Sequence, residues 1–231
     1  MELFRDRNDA GARLALELQG HAERPDVVVL ALPRGGVVVG YEVATRLGLP
    51  LDVLVVRKLG VPSHPEMAMG AIASGGVLVV DRSITSALGI SAAELEAVLA
   101  AERAELERRE RLFRGSRPPL DVRDRTVILV DDGLATGATM RAAVEGLRLR
   151  GPAEIVVAVP VASPETCEAF RSLVDDIICL MKPRRLHAVG LWYRDFSQTS
   201  DSEVRELLDA AERALDEQRR STPSARPAAP P

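Results

Sequence analysis

Two adjacent carboxylates, Asp131 and Asp132, close the apolar run 127–130, and Gly133-Leu134-Ala135-Thr136-Gly137-Ala138-Thr139 follows them. The second half of this segment offers successive backbone N–H groups, two hydroxyls and side chains too small to block approach. Gly137 also admits backbone geometry that other residues resist. A helical pattern begins at Thr139 and adds unpaired N–H groups and the positive end of a helix dipole. Together these make a cradle for a phosphate. The acid pair beside it can accept hydrogen bonds from neighbouring sugar hydroxyls, and it places negative charge near a cation or a developing positive sugar. A phosphorylated sugar therefore suits the segment better than a bare phosphate. A tight turn alone would account for the glycines but not for the acids and both threonines. There is no Gly-x-Gly-x-x-Gly, and the Gly35 to Gly40 spacing lacks the Lys-Ser/Thr of a P-loop.

The elements that must position this segment are short apolar strands alternating with helices. Residues 27–32, 53–56, 127–130, 155–159 and 177–180 read as strands, continuous enough in Val, Leu and Ile to be buried on both faces. Helical patterns fill 9–18, 38–47 and 139–150, the last stopped by Gly151-Pro152. This order predicts an α/β domain with a mainly parallel central sheet flanked by helices. In such sheets ligands bind beyond the carboxyl ends of the strands. Residues 57–69 carry Gly60, Pro62 and Pro65 with no clear period, which predicts a loop. Ser74-Gly75-Gly76 between 71–73 and 77–80 predicts a hairpin. Ser91-Ala92-Ala93-Glu94 is a capping box opening a charged helix to about Phe113. The Pro-, Ala-, Ser- and Arg-rich end, 218–231, predicts a disordered tail behind a single domain spanning 1–217.

With 3% aromatic residues, aliphatic side chains must fill the core. A net charge of −4 argues against bulk affinity for nucleic acid or anionic membrane. Cys167 and Cys179 sit among apolar residues without metal-ligand spacing and read as reduced packing residues. No cationic leader or bilayer-length apolar stretch is visible, so the cytoplasm is the expected location.

The segment 127–139 resembles the phosphoribosyl pyrophosphate motif of the type I phosphoribosyltransferases: four apolar residues, two acids, then a run ending Thr-Gly-x-Thr. The resemblance extends over about 27–196 and implies that family's fold, with 91–114 as a helical insertion and a small C-terminal hood. It implies that Ala135, Thr136, Gly137, Ala138 and Thr139 hold the 5′-phosphate and that Asp131 and Asp132 hold the ribose hydroxyls. It makes Pro33-Arg34-Gly35-Gly36 the pyrophosphate loop, with Arg34 as its cation, Gly35 and Gly36 supplying backbone, and a non-proline cis peptide expected at Arg34–Gly35. Residues 57–69 become a mobile lid whose Arg57 and Lys58 neutralise the leaving pyrophosphate. His187, Trp192 and Tyr193 fall where family members contact the acceptor base. Mg²⁺ is implied, held mainly by ligand oxygens and water near Asp131 and Asp132.

One departure limits the carry-over. Ala135 stands where the 6-oxopurine enzymes place an Asp, so a hypoxanthine or guanine acceptor is not implied. The expected activity is phosphoribosyl transfer from phosphoribosyl pyrophosphate to an acceptor, most simply a nucleobase, with pyrophosphate released. Expected partners are these two small molecules, with neither nucleic acid nor membrane, and homodimerisation stays open. Two other classes remain: a non-catalytic sensor of phosphoribosyl pyrophosphate or nucleotide, and an interaction protein using the charged helix of 91–114.

Overall fold

Strands β1 (Val27–Ala31) and β6 (Thr126–Val130) are buried at every position. β1, and β6 after Thr126, read as unbroken apolar runs because a parallel strand covered by helices on both faces meets no water. The computed structural model describes residues 3–221. Among these residues, β1 and β6 form the centre of a five-stranded sheet with β2 (Leu51–Val53), β7 (Glu154–Val161) and β8 (Asp176–Met181), in the order β2-β1-β6-β7-β8. Every neighbouring pair is parallel.

Helices α1 (Arg7–Glu17) and α2 (Gly35–Leu47) cover one face, packing Leu14, Leu18, Val39, Val43 and Leu47 on Val27, Val29, Ile128 and Val130. The other face carries α5 (Ala138–Arg148) and α6 (Pro164–Arg171), with Met140, Val144, Leu147 and Phe170 against Val28, Leu30, Leu129 and Val157. Each fully buried aliphatic side chain contributes roughly 1.5–3 kcal/mol relative to leaving it exposed. The loops at the carboxyl ends can therefore be polar without weakening the sheet. Among the described residues, no helix is long and apolar enough to cross a membrane.

A second, antiparallel sheet joins β3 (Val56–Val61), β4 (His64–Ala73) and β5 (Val77–Val80), in the order β3-β4-β5. The β4–β5 turn falls at Gly75 and Gly76, both at positive φ, as the sequence predicts. The loop expected at 57–69 is instead a hairpin. Leu59, Val61 and Met69 are fully buried and join the cluster containing Leu99 and Leu106. Pro62 lies in the turn, and Pro65 lies in the irregular stretch where the register shifts about Gly60. Neither proline interrupts the regular ladder, so the breaker residues mark a turn and a bulge within a strand pair.

The expected insertion helix is α4 (Ala92–Arg114), and Ser91 and Glu94 form its capping box. Far from projecting freely, it buries Leu99, Leu106 and Phe113 in the cluster shared with the hairpin and with α7 (Asp201–Ser221). Its last residue, Arg114, is buried and pairs with Asp52 at 2.9 Å while donating to the Val53 carbonyl. Between β5 and α4 lies the short α3 (Arg82–Ala87). Residues 218–221, expected in a disordered tail, continue helix α7; the rest of that expected tail, 222–231, lies outside the described residues.

Candidate functional site

Ala31 stands opposite Val130, and the Leu32 N–H donates to the Val130 carbonyl at 2.9 Å. The loops leaving β1 and β6 therefore share one end of the sheet. They touch because the first has no side chains at two positions. A Cβ on Gly35 would stand 2.0 Å from Asp132 Oδ2, and one on Gly36 would stand 2.9 Å from the Asp131 Cα. The non-proline cis peptide expected at Arg34–Gly35 is found one bond earlier, at Pro33–Arg34.

The acid pair is held from several sides. Asp132 N–H donates to Asp131 Oδ1 at 2.8 Å. Arg7, from the first turn of α1, donates through Nε to Asp132 Oδ2 at 2.8 Å and through Nη1 to the Ser197 carbonyl at 2.8 Å. Its guanidinium also lies 3.8 Å from the centre of the Phe196 ring. Tyr193 donates its hydroxyl to the Asp132 carbonyl at 2.6 Å, and its ring packs between Phe4 at 5.4 Å and Phe196 at 5.0 Å. Burial pushes the Asp131 carboxyl well above the usual carboxylate range, and the neighbouring Asp132 charge pushes it further. Burial also raises Asp132, with the Arg7 guanidinium pulling against it. Burial and Asp132 push the Tyr193 hydroxyl up as well, which keeps it a donor.

Beyond the acids, Leu134 bridges to Ala162, and the chain then turns into α5 through Gly137. Gly137 caps α5 in the left-handed region at φ 73° and has no side chain of its own to bond the helix's first turn. The pocket under this turn is filled, since a Cβ on Gly137 would meet the Phe170 ring at 2.6 Å. Ala135, Thr136, Ala138 and Thr139 are exposed around it. The one internal bond is long: Ala138 N–H to Thr136 Oγ1 at 3.4 Å. Two hydroxyl-bearing residues and the start of α5 are thus exposed together.

The cations are distributed unequally. Lys58 is exposed, and a cleft of about 690 Å³ between the β3–β4 hairpin and α4 is lined by Lys58, Glu66, Glu102 and Thr139. Lys58 therefore shares a wall with Thr139. Arg57 turns instead to α4 and pairs with Glu102 at 2.6 Å. Arg34 reaches Asp201 of α7 at 3.5 Å. Of the three residues expected near an acceptor, His187 is exposed, Trp192 is half-buried and Tyr193 is buried in the aromatic stack. Burial and the nearby Cys167 raise the Cys179 thiol to about 12, in keeping with a packing role. Among the described residues no group of three or more His, Cys, Asp or Glu is placed to hold a metal ion.

Sequence reasoning missed Arg7, Phe196, Glu102 and Asp201. Arg7 sits at the start of an ordinary amphipathic helix, and its partner lies in a loop on the far side of the chain, so no local signal marks it. The sequence singles out Trp192 and Tyr193 for an acceptor, but nothing marks the neighbouring Phe196 as a platform for Arg7.

Residues 3–182 match the family model described as the phosphoribosyl transferase domain. A protein of Mycobacterium tuberculosis H37Rv, provisionally named a phosphoribosyl transferase, is 46% identical over 216 residues, covering 92% of this chain and 48% of that protein. The chain thus spans about half the length of the curated relatives it matches. A uracil phosphoribosyltransferase of Lactobacillus delbrueckii subsp. bulgaricus is 41% identical over 59 residues, covering 26% of this chain and 28% of that enzyme. The crystal structure of TT1426 from Thermus thermophilus superposes with a TM-score of 0.79 at 44% identity, covering 90% of this chain and 98% of that one. An acid pair ending a buried parallel strand, a Thr-Gly-x-Thr cradle opening the next helix, and a family match across most of the chain agree: the chain belongs to the phosphoribosyl transferase domain family.

Proposed function

We propose that this domain transfers the phosphoribosyl group of phosphoribosyl pyrophosphate to a small-molecule acceptor and releases pyrophosphate. The observation that carries the reading is the meeting, at one sheet end, of the acid pair, the uncapped start of α5 and the Arg34 loop. The 5′-phosphate fits the N–H groups and hydroxyls of Ala135 to Thr139, far enough from the anomeric carbon that its binding energy orients the sugar. Asp131 and Asp132 accept from the ribose hydroxyls and place negative field beside a sugar that gains oxocarbenium character as pyrophosphate departs. Arg34 and Lys58 take up the negative charge of the leaving group. The family generally uses Mg²⁺ with phosphoribosyl pyrophosphate, and two carboxylates without a third suit a cation held by ligand oxygens and water near Asp131 and Asp132. Such an ion supplies charge neutralisation of the pyrophosphate.

The acceptor is best described by class, as a nucleobase or another small heterocycle entering from the side of His187 and Trp192. Ala135 removes the carboxyl that a 6-oxopurine acceptor would use. The test is pyrophosphate release from phosphoribosyl pyrophosphate and Mg²⁺ with a panel of bases. Release with at least one base, lost in Asp131→Asn/Asp132→Asn, is expected. Tight binding of phosphoribosyl pyrophosphate without release from any base would replace the enzyme reading with that of a sensor.

A further inference from the structure

Helix α4 passes two openings at the ligand end of the molecule. Its middle, at Val98 and Glu102, walls the cleft that holds Lys58 and Thr139. Further along, Arg108 and Arg109 wall a second cavity of about 370 Å³ together with Pro33, Arg34 and Asp201. We propose that Arg108 and Arg109 join Arg34 in an anion subsite that takes the pyrophosphate group of substrate and product. Naming pyrophosphate as the occupant rests on the transfer reading above; the anion subsite itself rests on this cavity.

The cavity is almost wholly charged. Glu105 holds Arg108 through two bonds, at 2.7 and 3.0 Å, and Arg109 through one at 2.8 Å. These bonds fix both guanidiniums on the helix. They leave Nη1 of Arg108 and both Nη groups of Arg109 without a protein hydrogen bond among the described residues. Three guanidiniums face two carboxylates, Glu105 and Asp201, so one net positive charge remains. Planar guanidinium forks also match the spread oxygens of a diphosphate better than a single carboxylate does.

Asp201 is the acid paired with Arg34 among the described residues. At 3.5 Å, and with side chains 38% and 45% exposed, the contact is long and well solvated. Such pairs contribute little to stability, so a multiply charged ligand displaces this one readily. Asp201 is also dispensable for the end of α7, because Ser200 Oγ accepts from the Glu203 N–H at 3.1 Å. The arginines stand on a rigid support. Leu106 and Phe113 are buried, and Arg114 is locked to Asp52 just beyond them. A helix inserted between the two sheets thereby brings fixed cations to the loop that carries Arg34, which preorganises the site.

The test is calorimetric titration of inorganic pyrophosphate and of ribose 5-phosphate into the wild type, Arg108→Gln/Arg109→Gln and Asp201→Asn. Both arginines are solvated on α4, so the double variant should fold normally. Its pyrophosphate affinity should fall by about tenfold or more, the loss expected for bonds between charged groups. Its ribose 5-phosphate affinity should be unchanged. Asp201→Asn should bind pyrophosphate more tightly, because a competing carboxylate is gone. The proposal is overturned if the wild type binds no pyrophosphate, if the double variant binds it as well as the wild type, or if both ligands weaken together. It is also overturned if Asp201→Asn binds pyrophosphate no better. If the affinities change as expected but no base supports pyrophosphate release, the subsite stands and the transfer reading fails.

Discussion

Replacing Arg7 with Met should unfasten the acid pair while keeping most of the side-chain volume. Arg7 is 11% exposed and Asp132 17%, so their 2.8 Å contact is shielded but not sealed from water. A hydrogen bond to a charged group contributes roughly 1.5–3 kcal/mol and the bond to the Ser197 carbonyl about 1 kcal/mol. Stacking on Phe196 adds about 0.5–1 kcal/mol. Partial solvent exposure lowers the total, leaving a loss of about 3 kcal/mol on truncation. For a domain of this size that lowers Tm by roughly 6–12 °C. Thermal melts of the wild type, Arg7→Met, Asp132→Asn and the double variant give the coupling directly, and about 1–3 kcal/mol is expected for contacting residues. Arg7 also opposes the upward shift of Asp132. In Arg7→Met that carboxyl should therefore rise further, and the acid limb of the activity profile should move to higher pH. Additive melts together with an unmoved acid limb would refute Arg7 as the clamp of the acid pair.

Thr136→Val should weaken ribose 5-phosphate binding by about 1–3 kcal/mol, read by calorimetry, because a hydroxyl facing a charged phosphate is lost. For Asp131→Asn the sign follows from its raised carboxyl: the folded wild type keeps a proton that the unfolded chain releases, so stability falls as pH rises from near 3.8 through the folded value. The Asn variant lacks this loss; its Tm should exceed the wild type's at neutral pH, with the gap closing in acid, while turnover drops. Amides of β3 and β4 near Leu59 and Met69 should be protected from hydrogen exchange without ligand. Lys58→Ala should slow pyrophosphate release yet leave ribose 5-phosphate affinity intact, whereas fast exchange across the whole hairpin would restore the idea of a loose lid.

The strands of the central sheet and the turn from β6 into α5 were legible because each is made of residues close in sequence. Strand 127–130 is apolar throughout because both its faces are covered, and the Thr-Gly-x-Thr turn is contiguous with it. The β3–β4 hairpin was not legible because its buried residues are separated by Gly60, Pro62 and Pro65. The breakers carry the turn and bulge, but without the partner strand they look like a loop. Arg7 was hidden for a different reason. Its bonds run to Asp132, Ser197 and Phe196, and a single cation in an amphipathic helix gives no hint of so distant a partner. The charged insertion helix was legible as a helix through its capping box. Its placement against Arg34 depends on the buried Arg114–Asp52 pair, which sequence spacing does not reveal.

The clamp on the acid pair is also a matter of timing during synthesis. Phe4 donates to the Trp192 carbonyl at 3.0 Å and accepts from the Arg194 N–H at 2.8 Å, which seats the segment leading into Arg7. A growing chain that has released β6 can already close the middle of the sheet, since β1 has been waiting for it. The strip that seats Phe4 and stacks on Arg7 has then yet to emerge, so the Arg7 partner of Asp132 lacks its platform. At roughly 5–20 residues per second, that delay is on the order of several seconds. Translation that stalls in this interval should leave a chain with a sound sheet core and no competent ligand end, distinguishable from the finished protein by its failure to hold ribose 5-phosphate.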